Sequence, residues 1–169
     1  MKIRRAFYIT PWNKPLNVAI SVFTLSRFSH EEIGFQLGSK WQYFSSTNRD
    51  GAKGTRWIEE DDLFKNPKRW KVIEYEVGHY ELKAKINRAN GIKDLPYDWT
   101  GVFGKILIFH NIHKLEEWYC CEACDYVDTG ITRKSNPGSD YRRVRKLYDC
   151  KDIDIVEEMA QKNKNKTYA

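Results

Sequence analysis

Three of the chain's four cysteines fall within five consecutive residues, in Trp118-Tyr119-Cys120-Cys121-Glu122-Ala123-Cys124; the fourth is Cys150. A cysteine attacks carbonyl carbon as the thiolate, so a catalytic one needs a depressed pKa. A helix N-terminus favours the anion through its free N–H groups and partial positive charge. The same N–H groups can stabilise the oxyanion that forms on attack. If a helix starts near Cys120, that residue gains both. Cys124, one turn later, then lies on the same side, and Cys121 points elsewhere. The competing reading is inert packing, because cysteine is among the most buried residue types. A second competitor is zinc: His110-x-x-His113 followed by Cys120-x-x-x-Cys124 offers two imidazoles and two thiolates to a metal-stabilised binding module, with Cys150 as a spare ligand. The paired C-x-x-C knuckles that make a zinc motif specific are absent from this stretch.

A thiolate nucleophile needs a base within hydrogen-bond reach. Four histidines qualify by type: His30, His79, His110 and His113. His30 opens an alternating segment, Glu31 to Leu37, in which Ile33, Phe35 and Leu37 interleave with polar residues, the period of a half-buried strand. Gly38-Ser39 reads as a two-residue hairpin turn, with Trp41 to Ser46 returning. Pairing Leu37 with Lys40 then sets Glu32 opposite Ser45 and His30 opposite Thr47. Glu32, two residues from His30, shares its strand face. Glu32, Ser45 and Thr47 are therefore all placed to reach the imidazole.

Around these lie the supporting elements. Asn17 to Phe23, apolar and β-branched, reads as a buried strand. Thr55 to Ile58 and Trp70 to Glu76 read as two more, with a loop or short helical turn over Glu59 to Phe64. His79 to Asn90 reads as a helix stopped by Gly91. Pro96 suits the start of another at Tyr97-Asp98-Trp99. Trp118 to Val127 is a helix entered through its cysteines, Pro137-Gly138 a break, Tyr141 to Tyr148 strand or helix, and Asp152 to Gln161 a final helix. The basic N-terminal stretch Met1 to Arg5 receives no element. Strands first, helices later predicts an α+β domain, an antiparallel sheet or small barrel packed against helices. One domain over 1–169 is expected, with a flexible tail from about residue 162.

Taken in order, Ser29-His30 before an apolar strand, Phe44-Ser45-Ser46 with Arg49-Asp50-Gly51, Tyr97-Asp98-Trp99, and Trp118-Tyr119-Cys120-Cys121-Glu122 resemble the circularly permuted papain-like enzymes of the NlpC-like superfamily. That group includes the YiiX/YebB-type proteins and small phage and prophage proteins. The resemblance spans about residues 17 to 128. It implies a permuted papain-like fold, with the histidine strand ahead of the cysteine helix. It also implies Cys120 as nucleophile, with Cys121 standing at a usual serine, and His30 as base. For the third catalytic group it leaves two candidates. Glu32 matches the family's acidic residue two after the histidine, and Asn48 is the nearest position to a carboxylate that often follows the F-S-S motif. By resemblance Tyr97 binds substrate or the oxyanion. Peptide, isopeptide, other amide or ester bonds are the implied substrates, and no metal or other cofactor is expected.

The composition agrees with a globular chain. Of 169 residues, 41% are hydrophobic and 14% aromatic, enough to form a core. No apolar run approaches the roughly 18 residues of a membrane span, and no signal peptide is read, so a cytoplasmic location is expected. The net charge of +6 comes largely from Arg142, Arg143, Arg145 and Lys146 and the Lys-rich tail. Nucleic-acid binding through Tyr141 to Lys146 is an alternative on that ground, though nucleic acid is the less expected partner. A papain-like domain without activity is a further alternative.

Overall fold

The computed structural model describes residues 1–11, 18, 21–22, 25–48, 51–99, 117–133 and 135–167. Six strands form one antiparallel sheet: β1 (Lys2–Ile9), β2 (Phe28–Leu37), β3 (Lys40–Thr47), β4 (Gly54–Glu59), β5 (Trp70–Glu76) and β6 (Lys151–Ile153). Their spatial order is β4-β3-β2-β1-β5-β6. The helices are α1 (Glu60–Leu63), α2 (His79–Gly91), α3 (Cys120–Thr129), α4 (Pro137–Leu147) and α5 (Ile155–Thr167), with a 3₁₀ turn at Pro67–Arg69. This is the α+β arrangement expected from the element order.

Strand alternation explains the two layers. On one face Ile3, Phe7, Ile33, Phe35, Phe44, Ile73 and Tyr75 form the larger core with α2, α3 and α4. On the other, Ala6, Tyr43 and Val72 meet Leu63 of α1, Phe64 just after it, and Ile155 and Met159 of α5. The β2–β3 turn is as expected: Leu37 pairs with Lys40, and Gly38 supplies the positive φ of +65° that the tight turn demands.

The largest departure is β1. It is paired on both sides, with β2 and β5, yet its sequence reads as a basic terminus. Lys2, Arg4 and Arg5 mask the alternation, because a buried arginine looks polar in a pattern and becomes tolerable only through partners far along the chain. Asn17 to Phe23 lies mostly outside the described residues, but Val18, Ser21 and Val22 are helical rather than extended; a short apolar run does not distinguish the two states. Pro137-Gly138 starts a helix instead of breaking the chain. Asn136 caps α4 by accepting from the Ser139 N–H, the Ser139 hydroxyl returns the bond to the cap, and Pro137 sits in the first turn, where its missing N–H costs nothing. The expected loose tail continues α5 to Thr167, with Lys162 on Glu60 and Asp61 and Lys166 on Asp61.

Candidate active site

The site forms where two strands part. β1 accompanies β2 down to the Ile9–Phe28 pair, whereas the β2–β3 ladder runs only from Leu37–Lys40 to Ile33–Phe44. The first five residues of β2, Phe28 to Glu32, therefore lie outside that ladder. Side chains fill the gap. The Ser45 hydroxyl donates to the Glu31 carbonyl at 2.7 Å, the Ser46 hydroxyl to the Trp118 carbonyl at 2.5 Å, and the Cys124 thiol faces the Glu31 and Phe44 carbonyls at 3.7 and 3.8 Å. These contacts seat the head of α3 in the split.

Cys120 is the first residue of α3. The N-cap Tyr119 is extended and no side chain caps the helix, whose first intrahelical bond is Ala123 N–H to Tyr119 carbonyl at 3.0 Å. The leading N–H groups and the dipole are therefore directed at the cysteine end. The Cys120 thiol pKa lies well below its ordinary value. A hydrogen bond with Cys121, whose sulfur is 3.7 Å away, favours the thiolate most. Burial opposes it, and the charge and hydrogen bond of His30 and the Glu31 N–H add to the lowering. His30 moves the other way: burial would lower it, but Cys120 and then Glu32 outweigh that and raise it. Both shifts run in the direction that favours a thiolate–imidazolium pair.

A carboxylate orients the imidazole. His30 Nε2 lies 2.8 Å from Glu32 Oε1, which leaves Nδ1 for the sulfur. Arg56 grips Glu32 with two bonds, Nη1 to Oε2 at 2.9 Å and Nη2 to Oε1 at 2.8 Å. Burial raises the Glu32 pKa, but Arg56 and His30 bring it down to about 2. Ser45, expected within reach of the imidazole, gives its hydroxyl to Glu31 instead. Asn48 is exposed just past the end of β3. Glu32 already occupies Nε2, so the structure pairs the histidine with Glu32 and not with that amide.

Tyr97 packs beside Tyr119, Cys120 and Cys121. A parallel bridge of Tyr97 with Trp118 and an antiparallel bridge of Pro96 with Gly54 hold it there. A Cβ on Gly54 would stand 2.0 Å from the Leu95 carbonyl oxygen, so glycine is what lets this segment close on β4. His110 and His113 lie outside the described residues. Cys124, one turn after Cys120 and facing the same strand as expected, has its thiol on core carbonyls.

The comparison with solved structures gives a match to the metalloprotein YiiX of Escherichia coli O157:H7, with a TM-score of 0.54 and 15% identity over 84% of this chain and 79% of that one. The fold is YiiX-like. No protein-family model and no curated protein matches the chain. Among the described residues no helix is long and apolar enough to cross a membrane.

Two features of the site escaped the sequence. Arg56 is one: β3 and β4 are joined by a six-residue connection rather than a tight turn, so the Ser45–Arg56 register could not be counted from a turn. The other is Glu31, fully buried against Arg5 at 2.9 Å; its partner sits on β1, whose sequence reads as a basic terminus. The basic residues of α4 are partly spent within the fold. Arg143 pairs with Asp125 and Asp140, and Arg145 with Asp152.

Proposed function

We propose that this chain is a cysteine hydrolase of the permuted papain-like kind, acting on amide or ester bonds. The observation that carries the reading is the Cys120–His30 pair at the open head of a helix, with the imidazole oriented by an Arg56-bound Glu32. His30 holds the proton of Cys120, and the thiolate attacks the substrate carbonyl. The N–H of Cys120 and neighbouring N–H groups at the head of α3 receive the oxyanion. As the tetrahedral intermediate collapses, His30 gives its proton to the leaving amine or alcohol and the acyl group remains on sulfur. His30 then takes a proton from water, or from another acceptor, which attacks the thioester and restores the thiol.

Glu32 acts as the third group, in place of Asn48: it keeps Nε2 occupied and stabilises the imidazolium. Tyr97 lines the approach to the sulfur. The test is a panel of activated esters and peptide amides with capture of the acyl-enzyme by intact-mass measurement. An adduct on Cys120, lost in Cys120→Ala with the fold retained, is the expected result. Undiminished turnover by Cys120→Ala would overturn the reading.

A further inference from the structure

Behind the cysteine–histidine pair is a second constellation, of which hydrolysis uses only the Cys121 thiol, as the hydrogen-bond partner of Cys120. Glu31 of β2, Cys121 of α3 and Asp140 of α4 each place one ligand atom within 4.8 Å of the other two. They are 0%, 1% and 1% exposed. One oxygen of each carboxylate has a cation: Arg5 on Glu31 Oε1 at 2.9 Å and Arg143 on Asp140 Oδ1 at 3.3 Å. The remaining oxygens, Glu31 Oε2 and Asp140 Oδ2, are buried with no hydrogen-bond donor among the described residues.

The surrounding charge does not balance. Arg5 contacts Glu31 and Asp128, Lys85 contacts Asp128, and Arg143 contacts Asp125 and Asp140. Among the described residues three cations thus serve four buried carboxylates; Lys85 also meets Glu81 at the rim. An uncompensated buried charge is expensive, so this cluster calls for one more positive charge. A divalent ion that displaces the Cys121 proton would supply it, leave the group neutral, and put its own positive charge in place of that proton beside the Cys120 sulfur. The thiolate in the donor set selects a borderline ion of the zinc class over magnesium or calcium, which prefer all-oxygen sites.

We propose that Glu31, Cys121 and Asp140 bind a zinc-class divalent cation. The ion ties together three elements: the strand carrying His30, the helix headed by Cys120, and α4. Glu31 and Cys121 each directly follow a residue of the catalytic pair, so the ion fixes the strand-to-helix distance on which that pair depends. The competing arrangement is a single proton shared between Glu31 and Asp140.

The site is buried, so binding is coupled to folding. The full chain would be stripped by chelator in denaturant and refolded with cobalt(II) as the probe. Expected are one equivalent of bound cobalt, a thiolate-to-cobalt charge-transfer band, and a raised melting temperature. Cys121→Ser removes the band, and Asp140→Asn weakens cobalt binding at least ~10-fold, the cost of about 1.4 kcal/mol or more in ligation. Cys120→Ser and Cys124→Ser keep the band. Glu31→Gln guards against misfolding of the other variants: it retains the fold by circular dichroism and loses the cobalt-induced rise in melting temperature. Failure of the refolded wild-type chain to bind cobalt would overturn the proposal in favour of the shared proton. A band that survives Cys121→Ser, or vanishes in Cys120→Ser, would overturn it by placing the metal elsewhere.

Discussion

Arg4 and Arg5 are consecutive in β1 and end in opposite kinds of charge cluster. Arg4 points to the layer of α1 and α5. There it lies 4.1 Å over the Trp41 ring and pairs with Glu60, Glu74 and Glu158, while Lys2, Lys162 and Lys166 share Glu74, Glu60 and Asp61. Four cations meet four carboxylates, and the rim reaches solvent. Arg5 points to the layer of α3 and α4, is itself 0% exposed, and belongs to a cluster that, among the described residues, has one cation fewer than carboxylates. The first cluster has enough cations to replace one another in part. The second has none to spare among the described residues and adjoins the Cys120 thiol. Charge on the first face serves cohesion; charge on the second holds the surroundings of the site.

The widest separation between the two cysteines of this region should come from Cys120→Ala against Cys124→Ala. The former abolishes acyl-enzyme formation. The latter keeps turnover and lowers stability by about 1 kcal/mol, read by urea denaturation beside an activity assay. His30→Ala lowers kcat/KM by ~10²–10⁴-fold, and Glu32→Gln by up to about 10⁴-fold, since the amide can still touch Nε2 but fixes the wrong tautomer and cannot stabilise an imidazolium as a carboxylate does.

The two arginines give the next contrast. Arg5→Met leaves Glu31 and Asp128 buried with less compensation and costs about 3–5 kcal/mol. Arg4→Met costs less than half of that, because Lys2 and Lys162 remain on Glu74 and Glu60. Equal losses in urea would erase the distinction between the faces.

The smallest effect concerns the neighbours Glu31 and Glu32, whose pKa values move in opposite directions. Burial holds the Glu31 carboxyl well above its ordinary 4.5, with Arg5 opposing. Glu32 is drawn to about 2 by Arg56 and His30 against burial. Glu32 therefore contributes stability that is full above about pH 4.5 and fades as pH falls towards 2. Glu31 contributes with the other sign: its penalty is absent below about pH 4.5 and grows as pH rises through its folded value. In the metal-free chain, Glu31→Gln should raise the melting temperature at pH 7 and leave it unchanged near pH 4. Glu32→Gln should lower it at pH 7.

Much of this arrangement was legible in the residues. Period-two alternation from Ile33 to Leu37 and the Gly38-Ser39 turn gave β2, β3 and their register, and hence the proximity of Glu32 to His30. The cysteine cluster marked the head of α3. What stayed hidden depends on distant partners. β1 looked like a solvated basic end because Arg4 and Arg5 find their carboxylates 26 to 154 positions away. The six-residue β3–β4 connection concealed Arg56. Asn48, the other candidate for the third group, stands one residue past the end of β3 at Thr47.

The account turns on the ionisation of one sulfur, and alkylation with iodoacetamide followed by peptide mapping reads it directly. Cys120 should react selectively, at a rate nearly flat from pH 8 down to pH 6, and faster than Cys150, a more exposed thiol whose pKa burial raises. His30→Ala should make the Cys120 rate fall with decreasing pH as for an ordinary thiol. Labelling of Cys120 that climbs about tenfold per pH unit towards 9 in the wild-type chain, indifferent to His30, would contradict the thiolate–imidazolium pair.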